Sequence, residues 1–137
     1  MGEVRIRARL VNAMDEALAR RGQLPREQVR SYEADALVDT GAVSSALPTH
    51  VVEQLGLMVR GRRVVEYADG RKEELDVTEP ITIIIDGRDT SEEAVVLGDE
   101  VLIGQTVLEK MDLLVDSARR RVIPNPAHPD QPVTKMK

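Results

Sequence analysis

ALVDTGAVSSALP, residues 36–48, sets an ionisable carboxylate between two apolar runs. Ala36, Leu37 and Val38 read as the end of a buried strand. Asp39, Thr40 and Gly41 turn the chain. Val43, Ala46 and Leu47 then resume apolar character. Burying an unpaired charge is costly, so the aspartate needs a reason. Asp and Gly are turn residues on independent grounds, and the tripeptide alone is compatible with a plain turn. The other reading is a carboxylate kept for its chemistry. The residues around it decide between the two.

The chain has 137 residues, enough for one domain with a core of its own. Phe and Trp are absent and Tyr occurs twice, so the core must come from Val, Leu, Ile, Ala and Met. Such a β-branched supply suits sheets. The absence of cysteine excludes disulfides, cysteine nucleophiles and thiolate metal sites, and fits a reducing, cytoplasmic setting. The N-terminal MGEVRIRARL alternates charged and apolar residues and has no apolar stretch of a signal peptide. No run approaches the roughly 18 apolar residues of a membrane span. A net charge of −5 argues against a general nucleic-acid binder. The basic runs Arg60 to Arg63 and Arg119 to Arg121 read as solvated faces. His50 and His128 share no recognisable ligand spacing with carboxylates, so no metal and no cofactor is expected.

Along the chain, Val4, Ile6, Ala8 and Leu10 alternate with Arg5, Arg7 and Arg9, the period of a strand with one wet face. Residues 13–21 read as a short helix closed by Gly22, and a second strand runs from Val29 to Val38. THVVEQLGL after Pro48 reads as a helix capped by Thr49 and stopped by Gly56. Val64–Tyr67 and Glu73–Val77 flank the hairpin signal Asp69-Gly70. Ile81–Ile85 precedes a second signal, Asp86-Gly87. Ala94–Leu97 continues the sheet, Val101–Ile103 is a short buried strand, QTVLEKM a helix, and Leu113–Val115 a strand. The Pro-rich tail VIPNPAHPDQPVTKMK cannot be regular helix. Many short strands with Gly turns predict a mostly β, barrel-like fold.

The order ALVDTGA, then the hairpin YADGR, then VLIGQTVLEKMDLLVD resembles the retropepsin-like aspartic proteases, in particular their small single-lobe bacterial and archaeal members. The resemblance runs from about Val4 to about Pro129. It implies a mainly β acid-protease barrel with one or two short helices, active as a symmetric dimer. It puts the protease domain at 1–123 and a Pro-rich tail at 124–137.

The chemistry explains the residue types. Hydrolysis of a peptide without a metal needs a base for water and an acid for the carbonyl or leaving amine. Two aspartates sharing one proton supply both. Asp116 in LLVDSAR echoes Asp39 but lacks the following Gly. The resemblance therefore implies a dyad of Asp39 from two chains. It also implies that Thr40 hydrogen-bonds across the dimer axis and that the Gly41 N–H donates to the carboxylate. Tyr67, Ala68, Asp69 and Gly70 would form a flap over an extended peptide or protein substrate. Leu102, Ile103 and Gly104 would support the active-site loop. Ala42 cannot donate the hydrogen bond that a Ser there could, which favours a weakly acidic to neutral pH optimum. The competing expectations are a non-catalytic dimer that grips extended segments and a structural dimerisation domain. The resemblance also implies that the chain ends build much of the dimer sheet, a role that falls to Val122 and Ile123 here.

Overall fold

Alternation along β1 (Val4–Asn12) sets the inside and outside of the molecule. Val4, Ala8 and Leu10 are buried while Arg5, Arg7 and Arg9 face water. The computed structural model describes residues 2–136. After β1 come α1 (Ala13–Arg20), β2 (Ser31–Asp39), β3 (Ala46–Leu47), α2 (Thr49–Gln54), β4 (Val59–Glu66) and β5 (Lys72–Thr78). They are followed by β6 (Ile81–Ile85), β7 (Arg88–Glu92), β8 (Val95–Val96) and β9 (Leu102–Gly104). The last elements are α3 (Gln105–Met111), β10 (Leu113–Asp116) and β11 (Arg121–Pro124).

Nine strands form one curled sheet in the order β4-β5-β8-β3-β9-β2-β1-β6-β7, and β10 pairs with β11 as a separate ribbon. β1 sits inside the sheet, antiparallel to β2 and β6. The β2–β9 pair is parallel and aligns Leu37 with Leu102, Val38 with Ile103 and Asp39 with Gly104. The main core gathers Leu10, Ile81, Ile83, Ile103, Leu108 and Met111, each at most 1% exposed. A smaller cluster of Ala46, Leu75, Val77 and Val95 lies at the root of the β4–β5 hairpin.

Local chemistry sets the breaks. Asn12, at the end of β1, caps α1 by accepting from the N–H groups of Met14 (3.0 Å) and Asp15 (3.1 Å). Its amide donates to the Leu55 carbonyl at 2.8 Å, tying α1 to the end of α2. Asp15 accepts three hydrogen bonds from Arg30, two of them from the guanidinium. The turn Asp86-Gly87 carries positive φ at both residues, +49° and +78°, as a two-residue type I′ hairpin requires.

Several expectations need correction. Among the described residues three α-helices form, at the three stretches the sequence pattern reads as helical, where the family resemblance implies one or two. The cap residue of α2 is Pro48, whose extended backbone starts the helix without a side-chain bond, and not Thr49. β7 was not anticipated because RDTSE has no apolar alternation. It is a polar edge strand whose pairing with β6 is dictated by the type I′ turn. β4 begins at Val59, so the basic run lies on a strand, exposed as expected. In the tail, which the sequence leaves open, Asn125, His128 and Val133 are hydrogen-bonded to Asp112 or Arg88.

Candidate active site

Asp39 is the last residue of β2, where the chain leaves the sheet. The turn is closed by the Ala42 N–H donating to the Asp39 carbonyl at 3.2 Å. The Gly41 N–H donates to Asp39 Oδ1 at 2.9 Å. A Cβ on Gly41 would stand 3.2 Å from that same oxygen, so the glycine also leaves the carboxylate room. Asp39 is half-buried in the single chain. Thr40 and Gly41 are exposed, and Val43 is 74% exposed. The carboxylate thus stands at a rim, with an apolar side chain beside it in water.

The loop rests on the segment from β9 into α3. Gly104 donates its N–H to Ser45 Oγ at 3.0 Å, and the Gln105 N–H donates to the Ala42 carbonyl at 2.8 Å. A Cβ on Gly104 would meet Ser44 O at 2.6 Å, Ser44 C at 2.7 Å and Val43 O at 2.8 Å. These are backbone atoms, so no side chain fits there without moving the loop. Ile103 faces the main core, whereas Leu102 packs with the smaller cluster at the hairpin root. The run Leu102-Ile103-Gly104 therefore joins core, hairpin and loop through alternate faces of one short strand.

The β4–β5 hairpin projects from the sheet edge with nearly every β4 residue exposed. Its tip is a three-residue loop. Gly70 donates to the Tyr67 carbonyl (2.9 Å) and Tyr67 to the Arg71 carbonyl (2.8 Å), with Gly70 at φ +86°. The Asp69 carboxylate accepts the Arg71 N–H at 3.0 Å and its Nε at 2.7 Å, which holds the acid below the usual carboxylate range. Tyr67 donates its hydroxyl to Glu73 at 2.6 Å, which pushes the phenol up. The Arg71 guanidinium lies 5.1 Å from the Tyr67 ring centre. Ala68, Asp69 and Gly70 are exposed at the tip.

Asp116 serves the β10–β11 turn. It accepts the Arg119 N–H at 3.3 Å and pairs with Arg121 at 3.4 Å. Among the described residues, no group of three or more His, Cys, Asp or Glu could hold a metal ion. No helix among them is long and apolar enough to cross a membrane. Ser45 was missed by sequence reasoning. It is 1% exposed and its hydroxyl receives the Gly104 N–H. The available signal was a pair of hydroxyls in an otherwise apolar run, since a buried hydroxyl needs a partner.

The family described as gag-polyprotein putative aspartyl protease matches residues 26–110, which spans β2, the loop, the hairpin and α3 as far as Lys110. No curated protein matches the sequence. Among solved structures, the retroviral protease-like domain of Ddi1 from Leishmania major is similar at a TM-score of 0.55 and 16% identity. That match covers 92% of this chain and 90% of the Ddi1 domain. The EIAV protease, complexed with an inhibitor, matches at 0.47 and 21% identity over 79% of this chain and 86% of its own.

Proposed function

The chain belongs to the gag-polyprotein putative aspartyl protease family, whose fold is retropepsin-like, and on that premise we propose that it is a homodimeric aspartic endopeptidase with Asp39 of each chain as the dyad. The observation that carries this reading is Asp39 at a strand end, hydrogen-bonded by the Gly41 N–H and exposed on one side, in a chain with a single Asp-Thr-Gly. A second copy related by a two-fold axis completes the pair. Two carboxylates about 3 Å apart cannot both ionise, so they share a proton. The ionised one takes a proton from water while the protonated one gives its proton to the substrate carbonyl. Collapse of the tetrahedral intermediate then returns a proton to the leaving amine, and no covalent acyl-enzyme forms.

The neighbours take roles within the same reading. Thr40 locks the two loops across the axis. Gly41 and Ala42 shape the turn. Leu102, Ile103 and Gly104 hold the loop from behind. The β4–β5 hairpin is the flap, and its tip residues Tyr67, Ala68, Asp69 and Gly70 close over an extended substrate. Apolar side chains at the scissile bond suit a site whose hairpin root is built from Leu102, Val65, Leu75 and Val77. The catalytic unit runs over residues 1–123 with 124–137 appended, in a cytoplasmic setting that the lack of cysteine suits.

The test is a peptide-pool cleavage profile of wild type and Asp39→Asn from about pH 4 to pH 7, spanning the dyad titration. Cuts present only in wild type establish the chemistry. Mixing wild type with an equal amount of Asp39→Asn tests the shared dyad. If subunits exchange freely, wild-type homodimers fall to about half their starting number, and activity falls with them. Unchanged activity after exchange refutes the two-chain dyad. No cuts from folded, dimeric protein would favour a dimer that grips extended segments without cleaving them.

A further inference from the structure

Helix α3 is held at both ends, and only one end is explained by the loop. At its start, Gly104, Gln105 and Thr106 donate N–H groups to Ser45 Oγ (3.0 Å), Ala42 O (2.8 Å) and Val43 O (3.4 Å). At its finish stands Asp112, in the left-handed region at φ 57° and ψ 47°. Glycine occupies that conformation without strain, and a side chain there is tolerated rather than favoured. The carboxylate gives the aspartate its reason. Oδ1 accepts the Asn125 amide at 3.0 Å. Oδ2 meets His128 Nδ1 at 2.6 Å and accepts the Val133 N–H at 3.1 Å. All three partners belong to the C-terminal segment.

Arg88 completes the clasp from β7. It is 8% exposed, and its guanidinium donates to the carbonyls of Met111 (3.0 Å), Asp112 (2.8 Å) and His128 (2.7 Å). A cation at a helix C-terminus is favourable in itself. Here it also binds the tail. Apart from the half-buried Asn125 and His128, residues 125–136 are exposed, and the bonds that hold the segment are polar. Pro126, Pro129 and Pro132 stiffen the segment, which lowers the entropy lost on docking.

We propose that Asp112 is a positioning residue for the active-site loop: by docking residues 125–133 on the C-terminal end of α3, it fixes the helix whose opposite end carries that loop. The proposal rests on the protease reading, in which that loop is catalytic. α3 is short, roughly 10 Å from end to end at 1.5 Å per residue. Val107, Leu108 and Met111 lock it into the close-packed core at 0–1% exposure. A rod of two turns does not bend between its ends, so a shift where the tail docks is carried to the three N–H groups under the loop.

The test compares wild type with Asp112→Gly, Asp112→Asn, and the double variant Asn125→Ala with His128→Ala, all as full chains. Asp112→Gly keeps the left-handed helix end and removes the carboxylate's three bonds to the tail. The double variant leaves α3 untouched and removes two tail-side partners. Asp112→Asn keeps one acceptor oxygen and tolerates the same backbone. Hydrogen exchange is read over residues 39–47 and 104–107, with the thermal midpoint alongside. Asp112→Gly and the double variant are expected to speed exchange in both segments about tenfold at a near wild-type midpoint, with Asp112→Asn in between. On a cleaved peptide, kcat is expected to fall about tenfold with KM within about twofold, since the reacting groups and not the binding strands are displaced. Faster exchange confined to residues 112–133, with the loop as protected as in wild type, overturns the proposal. A wild type that cuts no peptide defeats the protease reading, while the exchange result still decides the coupling.

Discussion

Replacing Gly104 with alanine adds one methyl group where the backbone of the loop lies closest to β9. The new Cβ would stand 2.6 Å from Ser44 O and 2.8 Å from Val43 O, against an ordinary contact of 3.4 Å or more. The loop must retreat by about 0.8 Å or β9 must shift by as much. Overpacking of this kind costs roughly 1–3 kcal/mol. The hydrogen bonds Gly104 N–H to Ser45 and Gln105 N–H to Ala42 stretch with it, at about 1 kcal/mol each. The sum, roughly 3–5 kcal/mol, lowers the thermal midpoint of a chain this size by roughly 9–15 °C, at about 3 °C per kcal/mol. Under the protease proposal, a carboxylate displaced by nearly an ångström also loses catalysis, by about 10- to 100-fold in kcat/KM. Gly61→Ala is the matched control. Nothing lies within 4 Å of its Cβ, so it should stay within about 0.5 kcal/mol of wild type. Calorimetry or a far-UV melt of the two variants decides. If Gly104→Ala melts within about 2 °C of Gly61→Ala, the close approach of loop and strand is not the constraint argued for the site.

Three further outcomes follow from other parts of the molecule. Hydrogen bonds from Arg30 hold the Asp15 carboxyl below 3.8, so its contribution is full above that value and disappears as pH falls through the lower folded value. The stability gap between wild type and Asp15→Asn should therefore stay constant from pH 7 to about pH 5 and close below about pH 4, as read by urea titrations; a gap that persists at the lowest pH contradicts the pairing. Asn12→Ala removes the α1 cap and strands the Leu55 carbonyl, costing about 2–3 kcal/mol in urea unfolding, whereas Asn12→Asp keeps the cap alone and recovers only part. Glu92 is pushed up, by burial first and against the opposing effect of Lys110 at 4.0 Å, and its Oε2 has no hydrogen-bond partner. Glu92→Gln should raise the melting temperature at pH 7, with the gain shrinking as pH falls through the raised folded value and gone by about pH 4; a gain that does not shrink refutes the burial argument.

Much of this fold was legible because it is written in local pattern. The Arg-apolar alternation of β1 needed only period 2, and Asp69-Gly70 and Asp86-Gly87 needed only turn chemistry. The Asp-Thr-Gly loop and the strand beneath it were readable in order, ALVDTGA and then VLIG, although their parallel pairing Asp39 to Gly104 is a tertiary fact. What escaped was decided by contacts distant in sequence. β7 has no apolar face to announce it, and its edge position lets RDTSE be polar. Asn12 looks like the end of a strand, yet its side chain is spent on α1 and on Leu55, 43 residues away. Asp112 looks like a charged residue in a helix-to-strand turn. Only the fold brings Arg88, Asn125, His128 and Val133 to it.

The carboxylate between two apolar runs finds its explanation in what a single chain leaves undone. The cost of burying an unpaired acid is avoided in the monomer, because Asp39 stays half-exposed and takes one backbone hydrogen bond. Rigidity is supplied from behind, by backbone contacts to Ser44, Val43 and Ala42 and by the buried Ser45 hydroxyl, and none of these depends on the charge. The apolar face beside the acid is left in water, with Val43 74% exposed. A loop made stiff yet incompletely covered fits a site finished by a second copy. Under the dimer proposal, desolvation of Asp39 and burial of Val43 arrive together on assembly. The apolar gain then offsets the electrostatic loss at the step where the shared proton becomes useful.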